Sequence, residues 1–225
     1  DHHAFVTERG GLVVLDVADP SNPSQMAGFE TTGVARAIQI RGDYAYLTSD
    51  HSGFHVVDVS DDFSPTLVGS LEMPGSSYGL ALKDDYAFVA NSEYGLKIID
   101  ITSPTAPTLT AALGTPGNAY DVRVQGDYAY VADGESGLLV VDISDPESPS
   151  VAGSLELGGF INAIALEGEH AYVTDEDFGV RKIHIGDPSN PVLVASFETP
   201  GEPTEVVTYG EYVLVNDAFS ILVLR

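Results

Sequence analysis

Five residues spaced 42 apart, Arg36, Tyr78, Tyr120, Asn162 and Thr204, change identity while the sequence around them repeats. The next column holds Ala37, Gly79, Asp121, Ala163 and Glu205, and two residues further on Gln39 and Arg123 interrupt an otherwise apolar column. Tyrosine rings stack on a sugar or peptide plane, and arginine with carboxylates hydrogen-bonds its polar groups. Arg36, Tyr78, Tyr120, Asp121, Asn162 and Arg123 are therefore the candidate ligand-binding residues. An arginine, carboxylate and tyrosine set could also abstract a proton from a polysaccharide, which would make a lyase centred on Arg36, Tyr78, Tyr120, Asp121 and Arg123.

A second candidate set is acidic. Asp50, Glu93, Asp133, Glu135, Asp175 and Asp177 fall in equivalent loops, where a ring of carboxylates could hold Ca²⁺ or attract a cationic ligand. The competing reading is solvated turns, because acidic residues occur in loops throughout the chain. His51 and His55 flank the Asp50 loop without a defined third ligand and read as an exposed pair. His170 and His184 stand where other copies carry Tyr and Asp. Arg41-Gly42-Asp43 spells an adhesive tripeptide, but its counterparts, such as Gln125-Gly126-Asp127 and Glu167-Gly168-Glu169, show a position that simply needs a tight turn. There is no cysteine, no G-x-S-x-G elbow and no phosphate-binding glycine loop. Binding rather than catalysis is the expectation.

The elements that must position these residues follow from the repeat. Gly33, Gly75, Gly117, Gly159 and Gly201 keep the 42-residue step, as do Asp16, Asp58, Asp100, Asp142 and His184. A fixed period of this size marks a solenoid or propeller, since one unit cannot bury its apolar faces alone. Within the copy at 127–168, short runs rich in β-branched and aromatic residues (128–132, 138–143, 151–155, 161–166) are bounded by Gly, Pro, Asp or Ser. No stretch shows convincing helical periodicity. Four strands per unit describe a propeller blade. Consecutive apolar residues such as Tyr44, Ala45, Tyr46 and Leu47 predict sheets covered on both faces.

GLVVLDV at 11–17, GLKIIDI at 95–101 and GLLVVDI at 137–143 resemble the LVIVD repeat. The preceding DYAYV-type strand and the following D-P-x-x-P turn are similar to it too, across essentially the whole chain. The resemblance implies a β-propeller of the kind found in bacterial and archaeal secreted or cell-surface proteins, and implies little about activity. The expected organisation is one all-β domain over 1–225, with repeats at about 1–42, 43–84, 85–126, 127–168 and 169–210 and a partial one at 211–225. With strands lettered A to D from the axis outward, the sequence supplies five A, six B, six C and five D strands. That suits six blade positions with incomplete termini, five blades being the alternative, and leaves sheet edges open to self-association.

Aspartate and glutamate number 34 against 9 lysine and arginine, a formal charge of −25. Such a field argues against nucleic acid and anionic membranes as partners. No apolar run approaches the ~20 residues needed to span a bilayer. The chain starts at Asp1 rather than Met, as expected of a processed or excised segment. The functional expectation is a secreted or cell-surface binding or scaffold propeller that takes glycan, peptide or protein on the rim carrying its B–C and D–A loops. The alternatives are the lyase and a subunit of a self-assembling filament or envelope layer.

Overall fold

The computed structural model describes residues 2–224. These residues form 22 strands in six sheets, four of four strands and two of three. In each sheet the strands follow one another in chain order. The chain divides into two compact units, one of residues up to 89 with 98–110, the other of 90–97 with 111 onward.

The first unit opens with β1 (His3–Glu8), β2 (Gly11–Asp16) and β3 (Ser24–Glu30). A second sheet follows with β4 (Ala35–Arg41), β5 (Tyr44–Ser49), β6 (Gly53–Asp58) and β7 (Thr66–Leu71). The division falls inside the third sheet, β8 (Leu80–Lys83), β9 (Tyr86–Ala90), β10 (Leu96–Asp100) and β11 (Thr108–Leu113). The second unit contains β12 (Asp121–Gln125), β13 (Tyr128–Ala132), β14 (Leu138–Asp142) and β15 (Ser150–Leu155). Its next sheet is β16 (Ile161–Glu167), β17 (His170–Asp175), β18 (Gly179–His184) and β19 (Val192–Phe197). The last is β20 (Pro203–Tyr209), β21 (Tyr212–Asp217) and β22 (Ser220–Leu224). β4, β8, β12, β16 and β20 are the A strands, so the five, six, six and five strands expected of types A to D are those observed.

One packing unit recurs. In the first unit Leu12 of β2 packs against Ala45, Leu47 and Val57, and Phe54 and Val56 of β6 pack against Leu80, Ala87, Val89 and Ile99. In the second, Leu138 and Val140 of β14 meet Ile161, Ile164, Val173 and Ile183, and Val180 of β18 meets Val206, Val213 and Val215. In these four cases the front face of a C strand fills the back face of the next sheet. Burying each such side chain fully contributes about 1.5–3 kcal/mol, which explains why B and C strands are apolar at consecutive positions.

The turns are equally regular. The A–B hairpins turn through residues with positive φ, Gly42 (58°), Asp84 (48°), Gly126 (57°), Gly168 (57°) and Gly210 (58°). These suit the short loops whose twist matches the flanking strands. At the end of strand C, Asp58, Asp100 and Asp142 accept the N–H two residues on. These hydrogen bonds hold their pKa below the usual carboxylate value. The following residue returns its N–H to the A–B turn, as Val59 does to Asp43 O and Ile143 to Asp127 O, both at 2.8 Å. His170 and His184 are register partners, occupying the places that Tyr128 and Asp142 hold in the preceding sheet.

Candidate functional site

The variable column read from the sequence has a structural identity. In β4, β16 and β20 the pairing with strand B slips by one residue, and the extra residues are Arg36, Asn162 and Thr204. A bulge residue escapes the alternation of the ladder and is re-aimed. The N–H beyond the bulge is satisfied by a threonine hydroxyl of strand B: Ala37 donates to Thr48 Oγ1 at 3.1 Å and Ala163 to Thr174 Oγ1 at 3.0 Å. The corresponding Tyr78 and Tyr120 lie just before β8 and β12.

The B–C turns and D–A connections meet, as expected of a shared rim. β-Bridges join Asp50 to Ser76 in the first unit, and Ser92 to Ala119 and Gly134 to Ile161 in the second. The glycine column exists because the turn comes so close. A Cβ on Gly33 would lie 1.9 Å from Asp50 O, and one on Gly117 would lie 2.2 Å from Asp133 O. At Gly159 and Gly201 it would collide with the carboxylates of Asp175 and Asp217. Asp133 and Asp217 each accept the N–H of the facing glycine at 2.8 Å. Ser49, Asn91, Asp133, Asp175 and Asp217 form a column with the same 42-residue step, a signal of this staple that the sequence reading passed over.

In the first unit the structure brings Arg36, Asp50 and Tyr78 together. Arg36 Nε donates to both Asp50 oxygens at 3.0 and 3.1 Å, and Nη2 to Oδ2 at 2.6 Å. The guanidinium lies 5.2 Å from the Tyr78 ring centroid. Asp50 raises the Arg36 pKa further, chiefly through the hydrogen bond. The Tyr78 carbonyl accepts from Thr48 Oγ1 at 2.5 Å, so the backbone under the ring is fixed as well. The Arg36 side chain keeps 42% of its surface exposed while Asp50 keeps 12%. The result is a guanidinium locked in orientation by a nearly buried carboxylate, with one face on an aromatic ring and the rest open to solvent.

A cavity of about 560 Å³ in the same unit is lined by His51, Ser52, His55, Ser70, Glu72 and Met73, among others. His55 departs from the sequence expectation of an exposed pair. It is buried, with Nε2 3.1 Å from both the Ser49 and Ser52 hydroxyls, and burial lowers its pKa. His51 is exposed, in a turn with φ of 62°.

In the second unit the candidates separate. Tyr120 packs edge-on against Phe160, ring centroids 5.0 Å apart. Asn162 donates to Glu176 at 3.2 Å and accepts from the Thr174 hydroxyl. Asp121 accepts the Val122 and Ile164 N–H groups at 2.8 and 3.0 Å and pairs with Arg123 at 2.9 Å. Burial nonetheless raises the Asp121 pKa, against the lowering by Arg123 and those N–H groups. Arg123 Nη2 lies 3.7 Å from Glu205, whose side chain is 54% exposed. Asp121 therefore acts as an internal acceptor that joins β12 to β16. A groove of about 380 Å³ along β12, β16 and β20 is lined by Arg123, Gln125, Leu166, Val206 and Thr208, among others.

The six candidate metal ligands are spread over different tasks. Asp50 holds Arg36, and Asp133 accepts from Gly117. Asp175 lies 2.9 Å from Arg181 Nε and accepts the Asp177 N–H at 3.1 Å. Glu93, Glu135 and Asp177 are exposed. Among the described residues, no three His, Cys, Asp or Glu converge as a group able to hold a metal ion. At the adhesive tripeptide, Arg41 donates to the Asp84 carbonyl.

Two aromatic partners on the B–C turns were missed from the sequence. Arg181 lies 4.2 Å over the Phe178 ring and Lys97 5.8 Å from Tyr94. Both cations fall in the column of His55 and Leu139, so a charged residue in a buried strand was the available signal.

The LVIVD repeat profile matches at residues 2–31, 32–72, 74–115, 116–156 and 158–199. No curated protein matches the sequence. Among solved structures, a functionally unknown protein from Desulfotomaculum acetoxidans superposes with a TM-score of 0.80 at 13% identity, over 99% of this chain and 75% of that one. The β-propeller domain of Cps50 (Swd1) from Myceliophteria thermophila gives 0.79 at 11%, over 99% and 78%. The computationally designed Ika8 protein gives 0.75 at 12%, over 98% and 66%. The chain thus spans about two thirds to three quarters of the length of these structures, and at such identities the likeness is one of fold.

Proposed function

The chain belongs to the LVIVD-repeat family, its six sheets being the blades of a β-propeller, and we propose that it is a binding module that takes a glycan, peptide or protein partner on its B–C and D–A loops. The observation that carries this reading is the Arg36, Asp50 and Tyr78 platform. A bulge aims Arg36 off the ladder, Asp50 fixes its orientation, and Tyr78 offers a ring beside it. Fixing those side chains before a partner arrives removes an ordering cost of about 0.5–1.5 kcal/mol per side chain. Arginine and tyrosine are also among the residue types enriched where a partner buries them at the centre of an interface.

The reading places the protein outside the cell or on its surface, consistent with the secreted and surface proteins that share this repeat and with a charge of −25. Binding is favoured over polysaccharide cleavage because Asp121, the carboxylate a lyase would use, is tied to two backbone N–H groups and to Arg123.

The test is a glycan array and a peptide-display selection with the intact chain, followed by affinity measurements on Arg36→Ala and Tyr78→Ala. Each substitution should weaken the selected ligand by about tenfold or more, the equivalent of ~1.4 kcal/mol. Ligands that bind both variants as tightly as the parent would refute the site. Turnover of a polysaccharide that these substitutions abolish would replace binding with catalysis.

A further inference from the structure

The fifth sheet departs from the repeat at three places that meet in space. Its strand B opens on His170 and its strand C ends on His184, where the second and fourth sheets pair Tyr44 with Asp58 and Tyr128 with Asp142. Two residues beyond strand C, Gly186 stands where those sheets are followed by Ser60 and Ser144. His170 and His184 are register partners, so both imidazoles leave the same face of the sheet. Their ring centroids lie 5.6 Å apart, with the planes inclined at 59°.

The histidine explains the glycine. Residue 186 has no left-handed φ that would call for glycine, and a Cβ there would lie 2.8 Å from His184 Cε1 and 2.9 Å from Nε2. The same atom would be 3.3 Å from the Glu169 carboxyl carbon. Losing the side chain therefore leaves a gap bordered by an imidazole nitrogen and a carboxylate. The backbone around the gap is fixed, since Ile185 N–H donates to Glu169 O at 2.8 Å. His170 and His184 are half-buried, whereas Glu169 and Gly186 are exposed, so the gap opens to solvent. Lys182 shares the face, but its ammonium rests 5.4 Å from the Tyr172 ring centroid.

We infer that His170 and His184 form a two-histidine site for a divalent transition-metal ion of the zinc class, with water completing the coordination. Paired imidazoles favour zinc, copper and nickel over the hard cations, which take oxygen ligands. With Zn–N bonds of about 2.0–2.1 Å and a tetrahedral angle, two imidazoles on one zinc hold their centroids roughly 5.2 Å apart. The observed 5.6 Å closes to that by small side-chain rotations, with the strands left in place. Glu169 contributes negative charge beside the pair rather than a third defined ligand, and a charge of −25 over the chain raises the local cation concentration. The site uses none of the residues of the ligand-binding reading and lies wholly within the second unit.

The test is a Zn²⁺ titration of the intact chain, read by the histidine-ring NMR signals and by calorimetry, and repeated on His170→Tyr and on His184→Asn. Tyrosine is the residue at the equivalent Tyr128, and asparagine keeps the acceptor oxygen of Asp142 without its charge, so neither should lower the thermal melt. One equivalent of Zn²⁺ should shift the His170 and His184 rings together, and Ca²⁺ should shift neither. Each variant should bind that zinc at least about a hundredfold more weakly, because removing one of two linked ligands forfeits the effective concentration of the second. Rings that stay unmoved at millimolar Zn²⁺, a shift confined to one of them, Ca²⁺ acting as Zn²⁺ does, or variants that bind zinc as tightly as the parent would each overturn the inference.

Discussion

Replacing Gly117 with alanine tests whether the glycine column is set by the approach of the B–C turn. The added methyl would lie 2.2 Å from Asp133 O and 2.8 Å from the Ser136 hydroxyl, well inside the roughly 3.3 Å at which carbon and oxygen normally meet. Relieving that overlap costs about 1–3 kcal/mol as overpacking. Moving the strand away also breaks the 2.8 Å hydrogen bond from Gly117 N–H to Asp133, a bond to a charged group worth about 1.5–3 kcal/mol. The sum is about 2.5–6 kcal/mol, and for a chain of this size each kcal/mol lowers Tm by about 2–4 °C. The predicted fall is therefore roughly 5–24 °C by calorimetry. Two controls separate crowding from backbone preference. Gly114 has no atom within 4 Å of its would-be Cβ and an ordinary φ, so Gly114→Ala should be near neutral. Gly126 is also open but has φ of +57°, so Gly126→Ala should cost only about 1–2 kcal/mol for the left-handed conformation. If Gly117→Ala melts no lower than Gly126→Ala, the crowding argument fails.

Three further outcomes are expected. Arg181→Met leaves the buried Asp175 without its counter-charge and should destabilise by about 3–5 kcal/mol, with Asp175→Asn/Arg181→Met recovering more than half of the loss in urea titrations. Phe54→Ala should cost about 3–5 kcal/mol in the same assay, whereas Ile221→Ala at the equivalent but 72% exposed position should stay within about 0.5 kcal/mol. His55 is held neutral by burial, its pKa below the usual 6.5. Its contribution is therefore intact above that value and is lost as pH falls through the lower folded-state value. Between pH 7.5 and 5 the parent should lose more stability than His55→Asn, judged by urea midpoints, and equal losses would remove His55 as the cause.

Much of the architecture was legible because it is periodic. Tyr128-Ala129-Tyr130-Val131 and Leu138-Leu139-Val140-Val141 announce doubly covered strands, and repetition at a fixed step announces that neighbouring sheets supply the cover. The turn aspartates and hairpin glycines were legible for the same reason, each having one local job. What was not legible depends on register. That Arg36, Asn162 and Thr204 are bulge residues follows from a one-residue slip against strand B, which composition does not encode. The sequence could place Tyr78 and Arg36 in one column and Asp50 in another, but their convergence needs a B–C turn that leans on the following sheet. It grouped Tyr120 with Asp121 as neighbours, whereas in the structure Tyr120 packs against Phe160 and Asp121 reaches Ile164. His55 shows the same limit, since its burial comes from strand pairing rather than from its loop-like surroundings.

The binding account stands or falls on Arg36. With arginine labelled by ¹⁵N, the Nε–H of Arg36, held against Asp50, gives a signal that can be followed as the selected glycan or peptide is added. The account predicts a saturable shift of that signal, while the buried Arg181 does not move. Saturable binding that leaves Arg36 unmoved and shifts the A–B hairpin residues Gly42, Gly126 and Gly168 instead would contradict it.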